Sequence, residues 1–583
     1  MTDALQRLLD ALTGFLAENP LVGAWYTTAV RFVFPLLALM ILVGAIRSLW
    51  KVKHPDEVWG YLGMANGIRL PLTHWENIIG RAPACDVQLE YPSVSRQHAA
   101  LIREDDGSWT VYDLGSKGGV KVNDLPVDGY AVVEDGDTVS FGGIPTMLVP
   151  ISVEEKRRQM AERRIEGRPA GMWGALVLLT LFQVLTAVQL IIAAGDEATV
   201  TIPLTFLTFT LICWGYFIVM RSFRRIGFEM ETIAFFLCTL SLAVTGSTVP
   251  DEMPKQLIAI VMGLVLFLVL GFFLRDLSRA QKVRWFMGAA AVGMLVITLL
   301  IGSSEGGAKA WIRLGGLSLQ PSELAKICYI FAGAATLDRL FNKRNLWMFI
   351  GLTGICGACL ALQNDFGTAL VFFVTFLVIA YLRSGDFATL GLICGGCFAG
   401  GMLLLTIKPH VAARFSSWGH IWEDVYGAGF QQTHTLTAAA SGGLIGVGAG
   451  EGWLSGLAAA DTDIVFGMLC EEWGLVIAVL TILCIITLAV FAVRACRAGR
   501  SSFYTIAACA ATSLLVFQTC LNVFGAVDIL PFTGVTLPFV SNGGSSMLSA
   551  WGMLAFLKAT DTRQNASFAV RLPSRRELRG EVD

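Results

Sequence analysis

Long apolar runs separated by short charged segments make up most of the chain. One run covers residues 32–49, and others recur from residue 172 almost to the end. Each is close to the roughly 20 residues that a helix needs to cross a bilayer, where every backbone polar group must be paired internally. The pattern therefore predicts a polytopic α-helical membrane protein. Beyond the first run, the expected spans are 172–194, 202–220, 228–247, 255–274, 285–303, 322–337, 346–362, 367–382, 387–407, 467–493, 503–525 and 545–558.

Residues 56–150 follow a different pattern. Short segments that alternate apolar and polar residues, such as WTVYDL and GYAVVEDGDTVSFG, are broken by Gly, Asp and Pro. A period of two between turn residues predicts β-strands, and several short strands in close succession predict an antiparallel sandwich. We therefore expect an all-β domain between the first apolar run and the others.

Basic residues recur in alternate connections. RSLWKVK follows the first run, EEKRRQMAERRIEGR follows the β-domain, and RSFRRIG, RDLSRAQKVR, DRLFNKR, RSGD and RACRAGR lie between later runs. Because Lys and Arg beside a span favour the cytoplasm, we expect these connections and the β-domain to be cytoplasmic. The opposite face then receives long glycine-rich loops at 304–321 and about 408–466, and a shorter one at 528–544. Long connections commonly carry function, so we expect the site there.

The composition narrows the class further. The chain is 55% hydrophobic and 15% charged, with mean hydropathy +0.63, whereas soluble proteins carry about a quarter charged residues. A net charge of −2 gives no reason to expect nucleic acid. Most of the cysteines lie in apolar runs, which favours packing between helices over a metal or redox site. The first run lacks the flanks of a cleaved signal peptide, so we expect none.

The stretch AAADTDIVFGMLCEEWG carries acids into an apolar run. Asp461 and Asp463 open it, and Glu471 and Glu472 follow inside. Ionisable groups inside a membrane usually face a cavity or a partner. Asp463 is a candidate general base, with a helix N-terminal acid as the alternative. Glu471, eight residues on, would return to nearly the same helix face and is a candidate for the site or for helix contacts.

Four stretches in this order resemble the RodA/FtsW/SpoVE family, also called SEDS proteins: WIRLGGLSLQPSELAK, QNDFGTALVF, SGGLIGVGAG with DTDIVFGMLCEEWG, and PFTGVTLPFVSNGGSS. The resemblance covers about 225–560 and implies a ten-span core, here with about three extra N-terminal spans. It implies a peptidoglycan glycosyltransferase that polymerises lipid II at the outer face of the bacterial cytoplasmic membrane, releasing undecaprenyl diphosphate. It also implies a class B penicillin-binding protein as partner. LAA replaces the family's LPE, and Asn542 replaces the Tyr of SYGG.

The resemblance also implies a site. Asp463 is the expected base, and Glu323 and Lys326 either tune it or form only a packing ion pair; Glu471 is a further catalytic candidate. Trp311 could stack on a sugar ring, and Arg414 and Arg313 could bind the diphosphate. A divalent cation, Mg²⁺ or Mn²⁺, could assist, although no ligand set is visible. All the substrate-binding candidates are Trp311, Arg414, Arg313, Gln320, Ser322, Asp365, Ser541 and Ser545.

A second resemblance is local. IIGRAPACDVQLEYPSVSRQHAALI followed by VYDLGSKGGVKVN is similar to a forkhead-associated (FHA) domain, a β-sandwich that binds phosphothreonine. The resemblance places Arg81 and Ser95 at phosphate-contacting positions, with Arg96 and Lys117 as further candidates and His98 as a structural residue. The family's Thr-Asn pair is Lys117-Gly118 here. Retained phosphopeptide binding and a purely protein-docking sandwich therefore both stay open.

Three functions remain after these steps. A glycosyltransferase is favoured because the acids and the long loops gather on one face. A lipid II flippase would need charge accessible from both faces, and an inactive scaffold would use the FHA domain alone. The expected segments are an N-terminal region with the first span (1–55), the FHA domain (56–150), a basic linker (151–171), an extra hairpin (172–224), the SEDS core (225–560) and a cytoplasmic tail (561–583).

Overall fold

The computed structural model describes residues 2–51, 58–83, 85–104, 107–166, 172–275, 277–305, 307–314, 317–337, 343–384, 387–407, 415, 418–496, 501–561, 563 and 566. Within these ranges the helices, in chain order, are α1 (Thr2–Glu18), α2 (Pro20–Lys51), α3 (Val153–Glu166), α4 (Met172–Ala194), α5 (Thr201–Ser222), α6 (Glu229–Thr248), α7 (Met253–Phe273), α8 (Leu277–Ile301), α9 (Pro321–Leu337), α10 (Lys343–Leu362), α11 (Phe366–Ser384), α12 (Phe387–Ile407), α13 (Phe430–Gly442), α14 (Val465–Met468), α15 (Gly474–Cys496), α16 (Ser502–Ala526) and α17 (Gly544–Ala559).

A helix occupies every predicted span. Nine helical segments in the described part of the chain are long and apolar enough to cross a membrane, and α9, α11, α12 and α17 complete the bundle as shorter or less apolar helices. Helix α6 lies at the centre of the bundle, since nearly all of its residues are buried, whereas few residues of α8 are buried and this helix lies at the periphery. The expected polytopic helical fold is confirmed.

The β-domain is a sandwich of two sheets with its own core. One sheet has the order β2-β1-β11-β10-β7-β8 and the other β4-β3-β5-β6-β9. All pairings are antiparallel except β3 with β4. The strands are β1 (Gly60–Met64), β2 (Arg69–Leu72), β3 (Glu76–Gly80), β4 (Val87–Gln88), β5 (Ala99–Arg103), β6 (Trp109–Asp113), β7 (Val120–Val122), β8 (Leu125–Pro126), β9 (Tyr130–Val133), β10 (Thr138–Phe141) and β11 (Ile144–Val149). Inward-facing residues such as Leu62, Leu101 and Phe141 form a core separate from that of the helices, as the alternating pattern predicts.

Regular structure also occurs where loops or linkers were expected. The predicted loop 304–321 contains a sheet of β12 (Ser303–Glu305), β13 (Ala308–Leu314) and β14 (Leu317–Leu319), and the alternation in AKAWIRL is the strand signal that its glycine-rich flanks obscured. The predicted loop 408–466 contains α13. The basic linker forms α3, whose residues have good helix propensity but no apolar stripe.

The predicted span 467–493 is interrupted. Helix α14 passes into a π-helical turn, Leu469–Trp473, before α15 begins at Gly474. A π turn inserts an extra residue, which changes the direction of every later side chain by about 100°. The prediction that Asp463 and Glu471 share one helix face assumed a continuous helix, and the π turn removes that assumption.

Contacts at the bundle ends define two faces, named here for what lies there. At the FHA face, α2 ends beside the β-domain, and Ser502 at the start of α16 donates to Glu76 of β3 at 2.9 Å. At the site face lie the start of α9, the end of α16 and the start of α17. Helix α16 therefore joins the two faces, spanning about 37 Å at 1.5 Å per residue.

A buried ion cluster closes the bundle at the FHA face. Arg563 binds both carboxylate oxygens of Glu229 at 3.1 Å and Asp561 at 2.7 Å. Lys558 pairs with Glu231 at 3.0 Å. The cluster fastens the end of α17 and the first residues of the predicted tail onto α6, so those residues are part of the packed bundle.

Candidate active site

Asp463 lies in a turn that is hydrogen-bonded to the segment leading into α17. Asn542 donates to Asp461 twice, from its backbone N–H to the carbonyl oxygen at 2.8 Å and from Nδ2 to Oδ2 at 2.7 Å. Ser541 Oγ donates to the Thr462 carbonyl oxygen at 2.6 Å. The residues on the N-terminal side of Asp463 are therefore fixed by side chains from another part of the chain.

Asn522 of α16 fixes Asp463 itself. Its Nδ2 donates to the carbonyl oxygens of Asp463 at 2.9 Å and Val535 at 2.8 Å. Asn522 is only 2% exposed, so these bonds are formed away from water, where their geometry matters most. Gly534 adjoins the carboxylate, because a Cβ built there would lie 3.1 Å from Asp463 Oδ2. The backbone of Asp463 is held by one bond to its carbonyl oxygen, and its carboxylate lies beside Gly534.

A chain of polar contacts starts at α9 and reaches the same segment. Lys326 Nζ pairs with Glu323 at 2.6 Å and donates to Gln518 Oε1 at 3.1 Å. Gln518 Nε2 then donates to the Thr536 carbonyl at 3.0 Å, and Thr536 Oγ1 bonds Ser546 Oγ at 2.7 Å. Glu323 and Lys326 are both buried in the bundle. A buried pair is retained only where further hydrogen bonds offset its desolvation, and Gln518 supplies one.

Gln320 and Asp365 extend this network across α9. The Gln320 N–H donates to Ser545 Oγ at 2.9 Å, and its Nε2 to Asp365 Oδ2 at 3.4 Å. The Thr368 N–H donates to Asp365 Oδ1 at 3.1 Å. In the connection between α10 and α11, burial raises the pKa of Asp365, and the bond from Thr368 opposes it. Gln320, Asp365 and Ser545 thus belong to the same network as Glu323 and Lys326.

Unsatisfied polar atoms lie in this region. Among the described residues, Ser322 Oγ, Glu323 Oε2, Asn522 Oδ1 and Thr533 Oγ1 are buried without a hydrogen-bond partner. Buried polar atoms in proteins are nearly always paired, so a group of unpaired ones is a place where a polar substrate or water can bind. Two of these atoms belong to residues already placed in the candidate site, since Asn522 bonds Asp463 and Glu323 pairs with Lys326.

The small sheet carries Trp311 and Arg313 at the site face. Both belong to β13, where Trp311 is half-buried and Arg313 exposed. The nearby Lys309 donates its Nζ to the carbonyl oxygen of Leu299 at 2.7 Å and so caps the end of α8. Arg414, the other diphosphate candidate, lies outside the described residues.

Glu471 and Glu472 bind a glycine-rich loop, residues 441–452, and the turn after it. Glu471 accepts from the N–H groups of Trp453 at 3.1 Å and Leu454 at 3.0 Å. Glu472 accepts from the Gly450 N–H at 3.1 Å and from the Ser247 hydroxyl. The structure brings Glu471 to backbone amides, and its catalytic role remains a prediction that no contact with Asp463 supports.

The phosphopeptide candidates cluster on one edge of the β-domain. Arg81, Arg96 and Lys117 are exposed, and the Lys117 N–H donates to Ser95 Oγ at 3.1 Å. Buried His98 accepts from the Ser95 N–H at Nδ1 (3.0 Å) and bonds the Gly119 carbonyl through Nε2 (3.0 Å), so the proton is assigned to Nε2. His98 therefore has the structural role that was expected.

Gly118 packs closely against the backbone of two neighbouring turns. A Cβ built on Gly118 would lie 2.6 Å from Gly142 Cα and 2.9 Å from the Ser93 carbonyl oxygen. A side chain at this position would therefore require the neighbouring backbone to shift. A ligand would therefore depend on Arg81, Ser95 and the Lys117 side chain.

Asn522 and Gln518 are the functional-site residues that the sequence analysis missed. A signal was present, because the two polar residues stand four apart in the apolar run LLVFQTCLNVFG and thus share a helix face. Metal ligation gains no support here: no group of three or more His, Cys, Asp or Glu side chains in the described ranges could hold a metal ion.

Fold and site together define a polytopic membrane protein with a polar site around an aspartate at one face and a β-sandwich at the other. The family described as "Cell cycle protein", covering FtsW, RodA and SpoVE, matches residues 230–566, more than half of the chain. The chain belongs to this family. The FHA family matches residues 77–142, so the β-domain is an FHA domain, and both resemblances are confirmed.

Curated relatives match this chain at moderate identity. The "Peptidoglycan glycosyltransferase RodA" of Mycobacterium tuberculosis is 30% identical over 322 residues, 52% of this chain and 69% of the relative. The "Probable peptidoglycan glycosyltransferase FtsW" of Coxiella burnetii is 31% identical over 359 residues, 58% of this chain and 90% of the relative. Among solved structures, Thermus thermophilus RodA is 26% identical, with 58% of this chain and 97% of that chain covered and a TM-score of 0.44.

Proposed function

We propose that the chain is a peptidoglycan glycosyltransferase that polymerises lipid II. The observation that supports this most is the position of Asp463, fixed by Asn522 beside a polar network that includes Glu323 and Lys326. The curated relatives are named peptidoglycan glycosyltransferases, which favours this function over the flippase and the inactive scaffold.

The proposed chemistry needs one base and a stabilised leaving group. A sugar hydroxyl of one substrate attacks the anomeric carbon of another, and Asp463 takes the hydroxyl proton. The new carbon–oxygen bond forms as the bond to the diphosphate oxygen breaks, and undecaprenyl diphosphate departs with that electron pair. Attack from the opposite side inverts the anomeric configuration. General-base catalysis of this kind contributes about 10²–10⁴-fold.

The leaving diphosphate requires cations at the site face. Arg313 is exposed on β13, and its planar guanidinium can donate paired hydrogen bonds to phosphate oxygens. We assign it this role together with Arg414. Trp311, from the same strand, would support a sugar ring. Gln320, Asp365, Ser322 and Ser545 would shape the polar wall. Ser541 Oγ instead donates to the Thr462 carbonyl in the turn before Asp463 and accepts from the Leu537 N–H of its own segment.

The orientation and partners proposed here follow the charge pattern and the family. The site face would lie outside the bacterial cytoplasmic membrane and the FHA face in the cytoplasm, with the core at 225–560. A class B penicillin-binding protein would cross-link the product. A phosphothreonine-containing protein would bind the FHA domain at Arg81, Ser95, Arg96 and Lys117.

Two experiments test these assignments. Purified full-length protein, with and without a class B penicillin-binding protein, is incubated with labelled lipid II, and glycan polymer is the expected product. Translocation of lipid II across vesicles without any polymer would instead support the flippase. For the FHA domain, binding of a phosphothreonine peptide is compared with its unphosphorylated form and with Arg81→Ala. Equal binding in all three cases would leave only protein docking.

A further inference from the structure

The glycine-rich loop 441–452 is bound on one side by the π turn. The Val447 N–H donates to the Glu471 carbonyl at 2.9 Å, and the Gly448 N–H to the Glu472 carbonyl at 3.0 Å. The Glu472 carboxylate takes the Gly450 N–H. This side of the loop belongs to the family core.

The other side of the loop is covered by the extra N-terminal helices. A Cβ built on Gly448 would lie 2.8 Å from Thr27 Cγ2 of α2, and one on Gly450 would lie 2.7 Å from Ala193 Cβ of α4. Gln189 of α4 donates to the Ala449 carbonyl at 3.4 Å. Gly448 and Gly450 also have positive φ, +126° and +81°. The loop is therefore shaped to fit against α2 and α4.

The same two helices, α2 and α4, also pack against the π turn. Buried Trp473 contacts Phe34 of α2 with ring centroids 4.7 Å apart, and it stacks on Phe182 of α4 at 5.5 Å. Phe34 and Phe182 contact each other at 5.0 Å. Such aromatic pairs stabilise packing by more than their buried area alone would. The extra helices thus contact both the glycine-rich loop and the π turn, which Glu471 and Glu472 connect.

The position of the FHA domain in the chain connects it to this contact. The FHA domain is inserted between α2 and α4, the two helices that cover the loop. Helix α2 runs unbroken from Thr27 at the loop to Ser48, which donates to Glu229 of the ion cluster at the FHA face. The chain thus enters the FHA domain after α2 and leaves it, through α3, towards α4.

We propose that α2 and α4 bind the glycosyltransferase core as an intramolecular partner. The surface of the core that they bind consists of the glycine-rich loop and the π turn. They close the loop that leads into the Asp463 segment, and they are more than a tether for the FHA domain. The consequence for catalysis rests on the proposed function. The binding surface itself does not.

Adjacent threonines on α2 provide a matched test in the full-length protein. Thr27 contacts the loop, whereas Thr28 is exposed on another side of the helix. Thr27→Phe should overpack the contact and raise hydrogen exchange of the 447–450 amides by about tenfold or more, while lowering polymer formation from lipid II. Thr28→Phe should leave both unchanged. Ala193→Leu tests the same contact from α4. It should also raise the exchange of these amides and lower polymer formation, and it takes the place of Thr27→Phe if Thr27→Phe does not fold.

The two readouts separate the two proposals. If wild type makes no polymer, the glycosyltransferase assignment fails, yet amide exchange still decides whether α2 and α4 close the loop. If Thr27→Phe and Ala193→Leu both fold and leave exchange of 447–450 at the wild-type rate, the intramolecular partner is refuted. Raised exchange with full polymer formation would overturn the link from the loop to the site.

Discussion

Carboxylates at the two ends of DTDIVFGMLCEEWG are held in opposite ways. At Asp463, a neighbouring side chain binds the backbone of the acid, through Asn522 and the carbonyl oxygen. At Glu471 and Glu472, the carboxylate oxygens themselves bind the backbone of another segment. A carboxylate whose oxygens satisfy buried amides has a structural task, whereas a bond to the main-chain carbonyl fixes the position of an acid without itself using the carboxylate. The comparison supports our proposal that Asp463 is the base, and it favours an architectural role for Glu471 and Glu472.

The largest expected effect comes from removing the proposed base. Asp463→Asn keeps the size of the side chain and cannot accept the hydroxyl proton, so polymer formation should fall by about 10²–10⁴-fold. Initial rates of polymerisation of labelled lipid II measure this. Asp461→Asn is the matched control, because Asp461 stands two residues away and bonds Asn542 instead. Its loss should be far smaller. Equal losses in both variants would show that the turn, and not a base, had been damaged.

Disruption of the buried ion cluster should have the next largest effect. Arg563→Ala leaves Glu229 and Asp561 buried without their shared partner, which typically costs about 3–5 kcal/mol of unfolding free energy. Thermal unfolding in detergent measures the loss. Arg563→Lys retains the charge without the bidentate geometry, so its melting temperature should lie between those of wild type and Arg563→Ala. A wild-type melting temperature for Arg563→Ala would mean that these carboxylates do not need compensation.

The sequence patterns predicted the fold more completely than they predicted the site. Apolar runs, basic connections and period-two alternation predict the helices and the sandwich because each depends on local periodicity. Asp463, Glu323 and Lys326 were found as charged residues in unusual places. Asn522 was missed because its spacing from Gln518 marks a polar helix face but does not show that this face contacts the distant Asp463 segment. The direction of the Glu471 side chain could not be deduced from spacing, since a π turn has no simple sequence signal.

An intermediate effect is expected at Glu471. Glu471→Gln keeps one acceptor oxygen but presents an NH₂ group to one of the two amides, Trp453 or Leu454, which should cost about 1–3 kcal/mol. Unfolding in detergent should reveal this, with faster exchange of the amides in the glycine-rich loop. The pH dependence of the remaining polymerisation should match wild type, because a carboxylate that only holds the loop takes no part in the proton transfer. A shifted pH profile would instead give Glu471 a catalytic part.

The smallest effect is expected where the same arrangement is exposed to water. Asp137 of the FHA domain accepts from Asn123 Nδ2 at 2.7 Å and from the Glu134 N–H at 2.8 Å, one bond to each oxygen, as at Glu471. The bond from Asn123, with that from Glu134, lowers the pKa of Asp137 below its ordinary 3.8. Its stabilisation is therefore complete above that value and is lost as pH falls through the lowered pKa of the folded state. Because the FHA domain has its own core, residues 58–150 can be unfolded separately, and Asp137→Asn should be less stable than wild type at neutral pH, with the gap closing in acid. A gap that is constant with pH would show that geometry, and not charge, holds the turn. A gap at neutral pH as large as that of Glu471→Gln would show that burial adds nothing to this kind of carboxylate.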